Sequence, residues 1–486
     1  MKKPFTITVL LMALIANIVS CGSQPVTVDD TEELTTEVTT APEEPEYEYA
    51  DLDMQGADFT ILNPTTTWGF YTYIDFEEAT GDVLDDTIYE RNSKLEELYN
   101  FNTVVVEEDI DSMTPLITNA VMAGDNSYQV TFPRCTTISA LITDGYFYDL
   151  SKVPELQLDQ PWWDQNVIEV SSLGPEKTLY YAATDFSLTG FDGTICIFIN
   201  EDMLSDLGGE MPYQLVRDGK WTLDEYYSIM KLGASLNGDD SFTWSATGSC
   251  TYGLLSWNTG PSALLIGAGA EYISLDDQGY PVIGFESEHF TNAAEKVASM
   301  LATPGEWLEL NTNQDPDHYE VAFRNGRCLS IIAEIKASTK FREMEDLYGI
   351  VPLPKYDESQ EKYRTYRAPV NPLMCIPVTN PDISEAALIM DAFSYMTYKD
   401  VLPVYYDVSL SQKGLRNEDS IEMLDIIRDT RYFDISQCYG WTNTLYSAIE
   451  GLIKVGNGAI ASTIASNKEA VNINIQKTME LLEDIK

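Results

Sequence analysis

Two histidines, His289 and His318, are the entire imidazole supply of this chain. A Ser-His-Asp hydrolase would have to use one of them. No Gly-x-Ser-x-Gly elbow accompanies them, and both fall near predicted helix starts or loops. No His-Glu-x-x-His zinc motif or Walker phosphate loop occurs. Carboxylates are the opposite case: with 78 Asp and Glu, a two-carboxylate glycosidase is not excluded by residue type. Asp315-Pro-Asp317 could contribute to a cation site, but the remaining Ca²⁺-loop positions are missing and a turn explains it. Non-covalent recognition of a sugar is the alternative to such a glycosidase. Aromatic faces cover the apolar side of a sugar ring, while Asp, Glu, Asn or Arg meet its hydroxyls. By placement at predicted strand ends the candidates are Trp68, Tyr71, Arg134, Asp185, Trp257, Glu334 and Trp441. Trp68 leads because it sits in a polar Thr/Gly loop rather than on an apolar face. No metal or cofactor is expected.

The elements that must position these residues alternate in type. Ala57 to Asn63 reads as a strand ended by Pro64. A helix follows through Leu84, Ile88, Leu95, Leu98 and Tyr99 at helical spacing. Strand Thr103 to Val106, a helix over about 115–122, and strand Tyr128 to Phe132 continue the pattern, which predicts a mostly parallel sheet. Ligands of such sheets bind outside the carboxyl ends of the strands. That places the Trp68 loop and Pro133-Arg134 near any cleft. Trp162 and Trp163 open an amphipathic segment, one facing the core and one the surface, and Tyr180 to Thr184 reads as a strand.

The unbroken apolar run Thr194 to Ile199 predicts a strand covered on both faces. Asn200 is a helix N-cap, Glu201 and Asp202 suit the helix dipole, and Gly208 is a stop. Thr222 and Glu225 are spaced as a capping box, with Trp221 and Tyr226 as the hydrophobic staple around it. Further on, 271–283 reads as a hairpin with a Gly279 turn, 291–301 as a helix and Cys328 to Ala333 as a strand. Val351 to Pro354 and Met374 to Val378 look extended. Helices dominate from Asp382, the last over about 467–482.

With 486 residues the chain exceeds the size at which one core usually keeps growing, so two domains are expected. Lys+Arg 29 against Asp+Glu 78 gives a net charge of -49. Phosphate recognition needs clustered cations, so nucleic acid is excluded as a partner. Lys2 and Lys3 precede an apolar run from Ile7 to Val19, too short to span a membrane and the right size for a signal-peptide core. From Gly22 to Asp53 scarcely a large apolar residue occurs, which predicts a disordered acidic tether.

Three stretches carry a resemblance. They are Thr194 to Asp202 with its helix and the Trp221-Thr-Leu-Asp-Glu225 opening, Phe323-Arg-Asn-Gly-Arg-Cys-Leu-Ser-Ile331, and Gly349-Ile-Val-Pro-Leu-Pro-Lys355. In order and spacing the chain resembles bacterial extracellular solute-binding proteins of family 1, the sugar-type ABC importer class. Ile18-Val-Ser-Cys21-Gly22 resembles the lipobox, which implies cleavage before Cys21 and lipidation of its thiol. The resemblance implies an α/β, two-lobed type II periplasmic-binding-protein fold, each lobe a mostly parallel sheet flanked by helices, with a hinge between them. Lobe 1 would be 56–193 plus 322–375, and lobe 2 would be 194–321 plus 376–486, behind a signal peptide (1–20) and a linker (21–55). It implies no enzyme but a monomer anchored to the outer face of the cell membrane. Such a protein passes a solute, an oligosaccharide by class, to an ABC permease. Two departures stand out: Glu201 replaces the usual Lys, and Glu334-Ile-Lys336 replaces a Gly-x-Trp stacking loop, which opens the way to a cationic or amino-sugar ligand. A surface glycan hydrolase and a sensory or adhesive lipoprotein without a transporter are the rival readings. Besides Cys21, six cysteines (Cys135, Cys196, Cys250, Cys328, Cys375, Cys438) are dispersed without metal-type spacing, and no disulfide can be assigned.

Overall fold

The structure, a computed structural model, describes residues 46–65, 69–310, 318–368, 371–407, 418–456 and 458–485. Tyr49–Lys486 form one compact unit. Its first residues already pack, since Tyr49 stands edge-on to Tyr395 and Met54 is buried. The ordered body therefore starts ahead of residue 56. The leader, Cys21 and most of the acidic tether lie outside the described residues.

Two sheets organise the unit. In the first, β1 (Ala57–Pro64) lies between β2 (Phe101–Glu108) and β3 (Val130–Thr131), parallel to both. The crossover helix Val83–Tyr99 buries Leu84, Ile88, Leu95 and Tyr99, and between them Arg91 and Asn92. Leu98, expected on that face, is exposed. Further strands are β4 (Ile195–Asn200), β5 (Tyr252–Ser256), the hairpin β6 (Ile273–Leu275) and β7 (Pro281–Ile283), β8 (Trp307–Glu309), β9 (Cys328–Glu334) and β10 (Tyr348–Val351). The second sheet runs β10-β4-β9-β5-β8. β4 is antiparallel to β9 and β10, while β5 is parallel to β8 and β9. This sheet is therefore mixed rather than mostly parallel. A strand hydrogen-bonded on both edges and covered on both faces is apolar unless its polar groups find partners; all six residues of β4 are buried, the first five apolar and Asn200 bonded to Met203 and Asp346.

The 322–375 stretch was expected with the first sheet, but it contributes β9 and β10 to the second. Conversely, the helix Ile383–Met396 packs on Val83–Tyr99 beside the first sheet. Its Asp391 accepts from both Trp162 and Trp163 indoles, at 2.9 and 2.8 Å. Both tryptophans are buried, because a shared buried carboxylate satisfies two N–H groups that would otherwise force one ring outward. Tyr180 to Thr184 makes only single bridges, Ala182 to Met374 and Thr184 to Trp163.

The local signals around β4 hold in part. Asn200 Oδ1 accepts from the Met203 amide at 2.8 Å, so Asn200→Ala should lower the unfolding free energy by about 1 kcal/mol in denaturant titration. Trp221 and Tyr226 meet with centroids 5.6 Å apart, and the Trp221 indole donates to Pro352 O. The capping box does not form: Thr222 is the N-cap but makes no side-chain cap bond. Its backbone instead bridges Lys355 in parallel, and the Lys355 carbonyl takes the Leu223 amide.

Beneath the crossing lies a buried charge network. Arg367 pairs with Asp164 at 2.9 Å, and Arg431 bridges Asp164 and Asp185 at 3.4 and 2.8 Å. Arg428 approaches Asp185 at 3.8 Å. Gly190 lets Arg367 pass, since a Cβ there would stand 2.6 Å from its Nη2. Arg431 belongs to β12 (Arg431–Tyr432), which pairs with β11 (Thr365–Tyr366). Segments near 164, 185, 367 and 430 are thereby tied at one point.

Candidate functional site

β1 ends at Pro64, and the chain that follows runs along the carboxyl edge of the first sheet. Burial alternates there: Phe70, Thr72 and Ile74 are inside, while Tyr71 is half-buried and Tyr73 exposed. That period of two is what an extended segment gives when one side rests on protein. Its backbone is pinned by buried side chains. Asn63 Nδ2 donates to Thr72 O at 2.9 Å, and Arg91 Nη2 and Asn92 Nδ2 both donate to Ile74 O, at 2.7 and 3.0 Å. Thr189 Oγ1 donates to Tyr71 O at 3.0 Å. Arg91 is wholly buried, its guanidinium 4.6 Å from the Phe186 centroid and 5.3 Å from that of Phe393. Burial brings its pKa down to about 9, so it remains a cation at neutral pH.

Opposite this segment the second sheet presents its own edge. β9 ends at Glu334, paired with Ile195 at the start of β4, and Lys336, Thr339 and Arg342 follow on the next turns. Between the two edges is a cavity of about 630 Å³. Phe70, Tyr71, Tyr73 and Phe76 supply its aromatic wall, and Asp82 and Asp85 its floor at the start of the helix Val83–Tyr99. Asp192, Tyr405 and Lys336 line it where the chain crosses. Lys336 Nζ sits 3.6 Å from the Phe70 centroid, a cation–π contact joining the two edges. Burial lowers the Lys336 pKa against the opposing pull of Glu334 and Glu320.

The carboxylates of the cavity are already engaged. Asp192 accepts the Tyr71 amide at 2.6 Å on one oxygen and the Tyr405 hydroxyl on the other. Asp85 accepts the Tyr71 hydroxyl at 2.6 Å and Thr80 Oγ1 at 3.2 Å. Asp82 caps the helix through the Leu84 amide. Burial, then the Asp85 bond, pushes the Tyr71 phenol well up, so it stays a hydroxyl donor.

Burial also raises Asp192 from 3.8 to about 6, against the lowering effect of Tyr405, the Tyr71 amide and Lys336. A carboxyl with a raised folded-state pKa stabilises the fold fully below its unfolded value, and that stabilisation disappears as pH rises through 6. Asp192→Asn can still accept the Tyr71 amide, and its Nδ2 can donate to Tyr405. The stability of the native chain relative to this variant should therefore fall by about 2–3 kcal/mol between about pH 4 and pH 7, as read by denaturant unfolding. A flat difference would remove the burial account of Asp192.

Of the residues singled out from sequence, the cavity gathers Tyr71. Trp68 lies outside the described residues, next to Gly69, which lines the cavity. Arg134 is on the carboxyl side of β3, 3.0 Å from Asp111. Trp257 follows β5 directly, and the register Ser256 to Ile332 sets it on the same edge as Glu334. Its ring centroid is 6.1 Å from His318, and His318 Nδ1 is 3.3 Å from Glu320. Asp185 and Trp441 do not join this group. Burial would raise Asp185, but Arg431 and Arg428 more than offset it and hold the carboxyl low. Trp441 is buried, stacked on Tyr439 at 4.8 Å with its indole bonded to Thr478. Every other lining residue was missed by sequence reasoning, Asp192, Tyr405, Tyr73 and Lys336 among them, as was Arg91 behind the wall. Arg91 left a local signal, a charged residue on the apolar stripe of its helix. Asp315 and Asp317 lie outside the described residues.

The overall fold is shared with solved structures. An ABC substrate-binding protein from Listeria monocytogenes in complex with cycloalternan superposes with a TM-score of 0.53 at 13% identity, over 87% of this chain and 99% of its own. The chain has the type II periplasmic-binding-protein fold. A cyclo/maltodextrin-binding protein complexed with maltotetraose gives 0.53 at 12% identity, over 88% of this chain and 96% of its own. A ribitol-bound solute-binding protein from Agrobacterium radiobacter gives 0.51 at 13% identity, over 87% and 100%. At these identities the likeness is one of fold. No protein-family model and no curated protein matches this sequence.

Proposed function

We propose that this chain is an extracytoplasmic solute-binding lipoprotein. Anchored through Cys21, it captures a polyhydroxylated solute, an oligosaccharide by class, and delivers it to an ABC permease. The observation that carries the reading is the cavity between the β1 and β9 edges, with aromatic faces on one wall and Lys336 and Arg342 on the other. A volume of 630 Å³ lies within the range of small-molecule sites. The engagement of Asp82, Asp85 and Asp192 by protein donors supports binding over hydrolysis, because a glycosidase needs one carboxylate to protonate and another to attack.

In this reading one lobe is built on the first sheet with the helices Val83–Tyr99 and Ile383–Met396, and the other on the second sheet. The crossings ahead of β4 and after β9 serve as the hinge, and a ligand favouring the closed arrangement shifts the lobes toward it. Arg134, Trp257 and Glu334 extend the site along the two edges. Tyr73 is the aromatic with most ring left to give: it is exposed, edge-on to Tyr71 at 5.4 Å. Tyr73→Ala should weaken oligosaccharide binding by about 1–3 kcal/mol in isothermal titration. Unchanged affinity would remove the aromatic wall from the site.

A further inference from the structure

All six cysteines of the described residues are buried. Four have surroundings of their own. Cys250 Sγ faces the carbonyls of Leu236 and Ser241, and Cys375 Sγ that of Leu373. Cys196 in β4 stands opposite Ala333, and Cys328 in β9 opposite Tyr252. Cys135 and Cys438 differ. Their sulfurs lie 2.9 Å apart, joining positions 303 residues distant in sequence. Both sit on defined backbone. Cys135 opens the turn Cys135–Thr137 behind β3, with its amide on Asn371 O at 3.1 Å. Cys438 lies in the short helix Ile435–Tyr439, capped by Asp434 and closed by Gly440 at φ 67°. The turn and the helix pack on each other.

We infer that Cys135 and Cys438 form a disulfide when the chain folds under oxidising conditions. The sulfurs need to approach by only about 0.9 Å to reach a bond length of about 2.0 Å. With a disulfide such as oxidised glutathione as oxidant, one cysteine thiolate displaces a glutathione thiolate, forming a mixed disulfide. The second cysteine thiolate then attacks the protein sulfur and releases the other glutathione. Two cysteines are oxidised, one glutathione disulfide is reduced to two thiols, and the two cysteine protons pass to them. Burial holds the Cys438 thiol well above its ordinary range, so thiolate is scarce in the folded chain and the bond forms during folding. The link would fasten the turn behind the first sheet to the segment that carries Arg431 and Asp434. It rests on neither the cavity's occupant nor export.

The test uses the full chain, refolded in a glutathione redox buffer, taking the monomeric fraction that melts cooperatively. Free thiols are alkylated in denaturant without reductant, disulfides are then reduced and labelled with a second reagent, and peptides are mapped by mass spectrometry. The expected result is the second label on Cys135 and Cys438 alone. The unreduced digest should contain their two peptides linked and lighter by two hydrogens. In Cys438→Ser, Cys135 should take the first label. First label on both cysteines of the native chain, or linkage of either to another cysteine, would overturn the assignment.

Discussion

Asp185→Ala is expected to lower the unfolding free energy by about 3–5 kcal/mol, among the largest effects available to a single substitution in this chain. The reason is asymmetric. Arg431 and Asp185 are largely enclosed, about 9% and 12% exposed, and the guanidinium meets the carboxylate through two contacts, at 2.8 and 3.4 Å. Removing the carboxylate leaves that charge short of a partner where water cannot replace it. It also leaves Arg367 and Arg431 with Asp164 as their shared carboxylate. The measurement is a denaturant titration, in which the midpoint should fall with little change in slope. A loss under 1 kcal/mol would mean that water reaches the network. Affinity for ligand should follow only through stability, because Asp185 is absent from the cavity wall.

Arg91→Ala should cost a similar amount, about 3–5 kcal/mol, for a different reason. The side chain fills the space between Phe186 and Phe393 and donates to Asn92, Phe186 O, Thr397 and Ile74 O. Alanine forfeits the packing and leaves acceptors unmet. Arg91→Met separates the two contributions. It restores most of the volume and removes a buried charge with its desolvation penalty, so about half of the lost stability should return. The tie to Ile74 O is not restored. Asn92, Asn63 and Thr189 still hold the Tyr71–Tyr73 segment, so it loosens without coming free, and affinity should stay about two- to threefold below native. Recovery of affinity together with stability would show that Arg91 only fills space.

Much of the fold was legible because its signals are local. The apolar run of β4, the Asn200 cap and the Trp221–Tyr226 staple each need fewer than ten residues to state. The failures are cases where a distant partner decides. Thr222 has the right neighbour for a capping box, yet its backbone is claimed by Lys355, far along the chain. Trp162 and Trp163 read as one core and one surface ring until Asp391 reaches both indoles. The site was less legible for the same reason. Tyr71 could be picked because it follows a strand end in polar company. Asp192 and Tyr405 come from remote segments, and nothing in their neighbours announces that they converge; Lys336 stood out only through its place in Glu334-Ile-Lys336. Asp185 and Trp441 were chosen by placement at predicted strand ends, Asp185 directly after the Tyr180 to Thr184 run. A buried arginine and a helix closed by Gly440 enclose them instead.

The most direct measurement is thermal unfolding of the full chain against a panel of oligosaccharides, amino sugars and peptides, with the added solute recovered and analysed afterwards. A ligand at about 100 times its dissociation constant adds roughly 2.7 kcal/mol to the folded state, enough to move the midpoint by a degree or more. The account predicts a shift with one sugar class, the sugar recovered intact, and a smaller shift in Tyr73→Ala. Recovery of sugar fragments, or a response to peptides with none to any sugar, would contradict it.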